Sequence, residues 1–96
     1  VPDFLFLMHD DCVTQPDGWG EYLGKLKSAG HLEGGSAIGP GTCVKKSGPA
    51  PDLTSHLSGF IRIAAKSLAE AQDLLPGNPV FEAGGTVEIR ELPETD

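Results

Sequence analysis

Apolar side chains fill Phe4, Leu5, Phe6, Leu7 and Met8 without alternation, and the run stops at His9, Asp10 and Asp11. A short unbroken apolar run predicts a strand buried on both faces, here over residues 4–9. The period then changes. Trp19, Tyr22, Leu23 and Leu26 fall at i, i+3, i+4 and i+7, the apolar stripe of a helix within TQPDGWGEYLGKLKSAG. Thr14 or Asp17 can cap its start, Glu21 suits its first turns, Lys25 and Lys27 its last turn, and Gly30 supplies a left-handed stop. Gly20 and Gly24 each weaken the helix by about 1 kcal/mol relative to Ala, so packing rather than propensity must hold it. SAIG and TCVKK flank GPG and predict a hairpin, and SGPAPDLTSHLS predicts an irregular connection. GFIRIAA alternates as a strand, with Ile61 and Ile63 on one face and Phe60 and Arg62 on the other. SLAE is a capping box, Ser67 at N-cap and Glu70 at N3, opening a helix whose stripe is Leu68, Ala71, Leu74 and Leu75 and which Pro76–Gly77 ends. GGTVEIREL closes the chain as a strand, Val87 and Ile89 on one face, Glu88 and Arg90 on the other.

The order of these elements is β-α-β(β)-β-α-β, the split βαβ arrangement of an α+β, ferredoxin-like fold: an antiparallel sheet with both helices on one face. Residues 1–96 make one domain, because a second would lack chain for its own core. Such a fold sharpens the meaning of FLFLM. Two helices cover one face of that strand only, and its second apolar face needs other cover. A second copy of the same sheet would supply it, pairing face to face around an enclosed space and giving a homodimer. A domain this small buries only about 60–70% of the surface its unfolded chain exposes, which favours such a supplement.

Composition narrows the partners. The chain is 39% hydrophobic and 22% charged, as an ordinary globular protein is. Seven Lys and Arg against fourteen Asp and Glu give a formal charge of −7, with Glu91, Glu94 and Asp96 gathered at the tail. Nucleic-acid phosphates and anionic lipids would repel it, and the pairs Lys45–Lys46 and Lys25 with Lys27 are too small to reverse that, so neither nucleic acid nor membrane is an expected partner. No apolar stretch approaches the ~20 residues that span a bilayer. The N-terminus lacks the basic region and cleavage site of a secretory signal, Val1 points to a processed or trimmed start, and the expected location is cytoplasmic. Cys12 and Cys43 are expected as two reduced thiols.

Two constellations carry candidate chemistry. Carboxylates beside His9 would favour its protonated form and suit it to acid/base work. Neighbours on a strand point to opposite faces, so His9 and Asp11 could share a site but His9 and Asp10 could not. The bland alternative is a polar strand end whose aspartate ties a turn. Arg62, Glu88 and Arg90 share the face away from the helices, where two guanidiniums and one carboxylate leave excess positive charge. That suits a small anionic ligand such as a carboxylate, gripped bidentately; an inter-subunit ion-pair network is the competing account. His56 sits in the loop before LSGF as a candidate lid ligand or a solvated loop histidine, and His31 favours a helix C-terminus. His and Cys show no tight metal-ligand spacing, and GGSAIGPG lacks the Lys-Ser/Thr of a phosphate loop, so neither a metal nor a cofactor is expected.

Across nearly its whole length the chain resembles the YCII-related family, closest to the branch carrying a DGPF signature. FLFLM matches the opening strand, WGEYLGKLKSAGHLEGG the first helix and its exit, and GFIRIAAKSLAEAQDLLPGNPVFEAGGTVEIREL the second half. The resemblance implies a dimeric α+β barrel. Where the signature branch reads DGPFAE this chain has SGPAPD, Ser47 to Asp52. Other members place an acid/base histidine in the first helix, where Trp19 and Tyr22 stand here. Roles in the family are mostly unassigned, with a few small-molecule lyases and dehalogenating enzymes. The leading expectation is a homodimeric protein that binds a small anionic molecule between paired sheets through His9, Arg62, Glu88, Arg90 and His56. The alternatives are a lyase- or isomerase-type enzyme using His9 as acid/base, and a structural or regulatory module without ligand.

Overall fold

The computed structural model describes residues 1–94; Thr95 and the last acidic residue of the tail, Asp96, lie outside the described residues. The elements are β1 (Asp3–His9), α1 (Trp19–Ser28), β2 (Leu32–Ala37), β3 (Leu57–Ala64), α2 (Leu68–Asp73), α3 (Pro79–Glu82) and β4 (Val87–Leu92). The strands form one sheet in the order β2-β3-β1-β4, every neighbouring pair antiparallel. This is the expected ferredoxin-like topology. Alternation sets its two faces: Phe4, Phe6 and Met8 of β1 and Ile61 and Ile63 of β3 are buried beneath Tyr22 and Leu26 of α1, Ala71 of α2 and Val80 of α3. All the helices therefore lie on one face.

The other face corrects the expected barrel. The sheet is open, with β2 and β4 as free edges, and it does not close into a barrel. Leu5 and Leu7 on that face are nevertheless only half-exposed. Arg62 and Arg90 stand opposite Leu5 on the two neighbouring strands, and Phe60 and Glu88 stand opposite Leu7. Long side chains can lay their aliphatic stems over such leucines while keeping their charges in water. The apolar second face of β1 is thus half-shielded within one chain, and it needs no paired sheet to cover it.

The remaining differences are local. TCVKK forms no strand, and residues 38–56 are irregular. The sheet instead uses Leu32–Ala37, whose partner is β3, and the amide of Ile38 bonds to the Ser58 carbonyl at 3.1 Å before Pro40 ends the pairing. Helix α1 starts on Gly18 in a left-handed conformation, φ 92°, and Asp17 accepts from the Gly18 amide at 2.8 Å rather than capping the helix. Gly30, φ 79°, supplies the expected stop. At α2 the Ser67 hydroxyl accepts from the Glu70 amide at 3.1 Å as the capping box requires, while the Glu70 carboxylate reaches one residue further back, to the Lys66 amide at 3.0 Å. Leu68 lies outside the stripe, 53% exposed. Beyond the turn, Asn78 caps α3 by accepting from the amides of Val80 and Phe81, with Pro79 in the first turn where its missing N–H costs nothing. No helix among the described residues is long and apolar enough to cross a membrane.

Candidate functional site

Between α1 and the helix-side face of β2 and β3 lies a cleft of about 640 Å³. Its making begins with the α1 stripe. Tyr22 and Leu26 point into the core, and Trp19 and Leu23 flank them half-buried at its margin. The indole of Trp19 meets the Tyr22 ring edge-on at 6.3 Å, and the Tyr22 hydroxyl donates to the Leu74 carbonyl at 2.8 Å, so the wall is braced from behind. Burial holds the Tyr22 hydroxyl above its ordinary pKa of 10.0, which keeps it a neutral donor.

The opposite wall is low because the sheet there carries little side chain. Gly35 and Gly59 line the cleft with Met8, Ala37 and Ile61. A Cβ on Gly35 would stand 2.7 Å from the Phe60 carbonyl oxygen, so close backbone approach keeps that position glycine, and one on Gly59 would be a tight 3.1 Å from the Ser36 carbonyl oxygen. Among the described residues, no residue lining the cleft has an ionisable side chain. Two serines border the cleft. Ser36 stands opposite Phe60 in the register, so its hydroxyl lies on the open face and donates to the Ala37 carbonyl at 2.8 Å. The Ser58 hydroxyl donates to the Met8 carbonyl at 3.3 Å and lies 3.5 Å from that of His9. Ser58 sits where the β1–β3 register slips between Met8 and His9, so a bulge places it there.

The predicted polar residues gather elsewhere, at the end of β1 on the open face. The His9 Nε2–H donates to Glu88 Oε1 at 3.0 Å, and Arg90 Nη1 donates to Glu88 Oε2 at 3.0 Å. His56 closes over this group, its ring 4.8 Å from that of His9 and edge-on to it, anchored by the Asp10 amide on the His56 carbonyl at 2.6 Å. Four of the five expected site residues, His9, His56, Glu88 and Arg90, are thus brought together. Arg62 is not. It binds Asp3 at the far end of β1, with Nε at 2.8 Å and Nη2 at 2.6 Å from Oδ2.

Asp3 also removes the expected surplus of positive charge, since two guanidiniums now face two carboxylates. Arg62 holds the Asp3 carboxyl below its ordinary 3.8, and His9 and then Arg90 hold that of Glu88 below its ordinary 4.5. Asp11 does not join His9. Its two oxygens accept from the Thr86 amide at 2.8 Å and the Thr86 hydroxyl at 2.6 Å, and that hydroxyl is the main reason its carboxyl lies below 3.8. The turn-tying account of the strand end is the observed one. His31 is structural too, bonded through Nδ1 to the Ala64 carbonyl at 2.8 Å.

None of His9, His56, Arg62, Glu88 and Arg90 lines the cleft. Sequence reasoning assigned Trp19 and Leu23 to the core stripe alone, and the signal it passed over was the glycine content of LEGG opposite that stripe.

Comparison with known proteins agrees with this geometry at the level of family and fold. The family model described as the YCII-related domain matches residues 14–95. The fold is similar to that of 5-chloro-2-hydroxyhydroquinone dehydrochlorinase (TftG) from Burkholderia phenoliruptrix AC1100, solved in complex with 2,5-dihydroxybenzoquinone. The two superpose with a TM-score of 0.61 at 20% identity, over 97% of this chain and 95% of that one. No curated protein matches the chain by sequence.

Proposed function

The chain belongs to the YCII-related domain family, and from that premise we propose that it binds a small molecule in the cleft between α1 and the sheet. One observation carries the reading: a concave space of about 640 Å³ walled by apolar side chains and a few polar atoms. Small-molecule sites occupy roughly 300–1,000 Å³ and have this composition. The similar TftG structure holds 2,5-dihydroxybenzoquinone, and in size alone such a compact ring suits a cleft of this volume, whose walls lack a cation for the ring's acidic hydroxyls. With no ionisable side chain on its walls, the cleft offers binding rather than proton transfer.

The test is a fragment panel followed through the emission of Trp19, the chain's one tryptophan. Binders are expected to shift that emission and raise Tm in the wild type. They should do neither in Ala37→Phe, which fills the cleft from an exposed edge-strand position while leaving the circular dichroism spectrum unchanged. Fragments that bind Ala37→Phe as well as they bind wild type would remove the cleft from the proposal.

A second reading rests on the assembly of His9, His56, Glu88 and Arg90. In it, a small carboxylate ligand docks at the end of the open face against Arg90, with His9 as acid/base in a lyase- or isomerase-type reaction. Arg62 would belong to it only by releasing Asp3. Acetate or oxalate should then raise the Tm of wild type but not of Arg90→Gln. Equal anion responses in the two proteins would leave the cluster as an ion-pair network that braces the strand end.

A further inference from the structure

We infer that the cleft is selective for a flat, uncharged aromatic ring and discriminates against both anionic and non-planar molecules of the same size. This deepens the reading of the cleft as the ligand site and rests on it. Three features of the walls argue for it.

The first is shape. One side is the Trp19 indole, set in place by its edge contact with Tyr22, and the other is the sheet surface at Gly35 and Gly59. At Gly35 the backbone approaches too closely for a Cβ, and at Gly59 it leaves little room for one, so this part of the sheet stays low. An indole across from two glycines, with the buried Met8 and Ile61 and the short Ala37 beside them, favours a flat molecule, and aromatic pairing adds to simple area burial.

The second feature is charge. The walls hold no cation to partner an anion, and an unpaired carboxylate taken out of water is heavily penalised. The protein's formal charge of −7 repels an anion before it arrives.

The third feature is hydrogen bonding. The Ser58 hydroxyl spends its proton on the Met8 carbonyl, which leaves its oxygen lone pairs as acceptors. It suits a ligand that donates, such as a phenolic O–H, and offers nothing to a carboxylate that only accepts.

The chain supplies its own reporter, because its single methionine, Met8, lines the cleft. With the Met8 methyl labelled for NMR, naphthol, naphthoate and decahydronaphthol share a skeleton while differing in charge or planarity. Naphthol is expected to move the Met8 signal upfield by its ring current and to saturate. Naphthoate should bind roughly tenfold more weakly or worse, and decahydronaphthol should be weak as well. Trp19→Leu should lose the preference for naphthol over decahydronaphthol, and Trp19→Phe should restore much of it. Naphthoate binding as tightly as naphthol would overturn the charge selectivity, and decahydronaphthol matching naphthol would overturn the planar slot; either result leaves the cleft as a binding site. A Met8 signal unmoved by all three would overturn the inference and the cleft reading together.

Discussion

Asp11 holds Thr86 from 75 positions away along the chain, through both its carboxylate oxygens. Because those bonds favour the ionised form, the folded pKa lies below the ordinary 3.8. The sign follows: the stabilisation is fully present above the ordinary value and is lost as pH falls through the lower, folded one. Asp11→Asn should therefore be less stable than wild type at neutral pH, with the gap closing on acidification below the ordinary value, as urea midpoints measured across pH would show. At this scale the sequence was legible wherever period-two alternation decides. Arg62, Glu88 and Arg90 were placed on the face away from the helices, and all three stand there beside Leu5 and Leu7. It was not legible for Asp3 or Thr86, whose roles depend on a register and a chain return that local pattern does not encode.

Elements were easiest to read where a cap announces them. The Ser67 hydroxyl bonds the Glu70 amide as SLAE foretells. Replacing that cap should cost about 1 kcal/mol, since an N-cap serine to alanine leaves a helix amide without its partner. Ser67→Ala should lower the denaturation midpoint without altering the m-value, and no change in midpoint would show that α2 is held by Ala71 packing alone. Strand β2 was half hidden for the opposite reason, since SAIG was read as extended but only Ser36 and Ala37 of it fall in the strand. LEGG has low β-propensity and two glycines, so it reads as loop; only the β3 backbone pressing on Gly35 shows why a strand would tolerate them. Gly35→Ala should test this directly, because its Cβ would stand 2.7 Å from a main-chain oxygen. The expected outcome is a clear fall in Tm together with weakened binding in the cleft. Helix α3 escaped notice because four residues leave too little periodicity to detect.

Taken whole, the molecule is two layers, one sheet under one set of helices, measuring 46 × 40 × 20 Å. The topology was legible because four of its elements carry a clear period or cap and β1 an unbroken apolar run. The barrel was not sound, because an apolar strand face says that cover is needed and not whose side chains provide it. Asp3, Asp11 and Glu88 all have depressed carboxyl pKa values, so global stability should decline as pH falls through and below the ordinary carboxylate range. A flat stability profile from neutral pH to pH about 3 would contradict that linkage. The open sheet carries a further consequence, a colloidal one. Free edges at β2 and β4 present main-chain donors and acceptors to any other strand that comes near, and mutual repulsion between acidic copies helps to keep such strands apart. Near the isoelectric point of about 4.7 that repulsion vanishes. The solution should cloud there while each chain is still folded, so acid will bring precipitation before it brings unfolding.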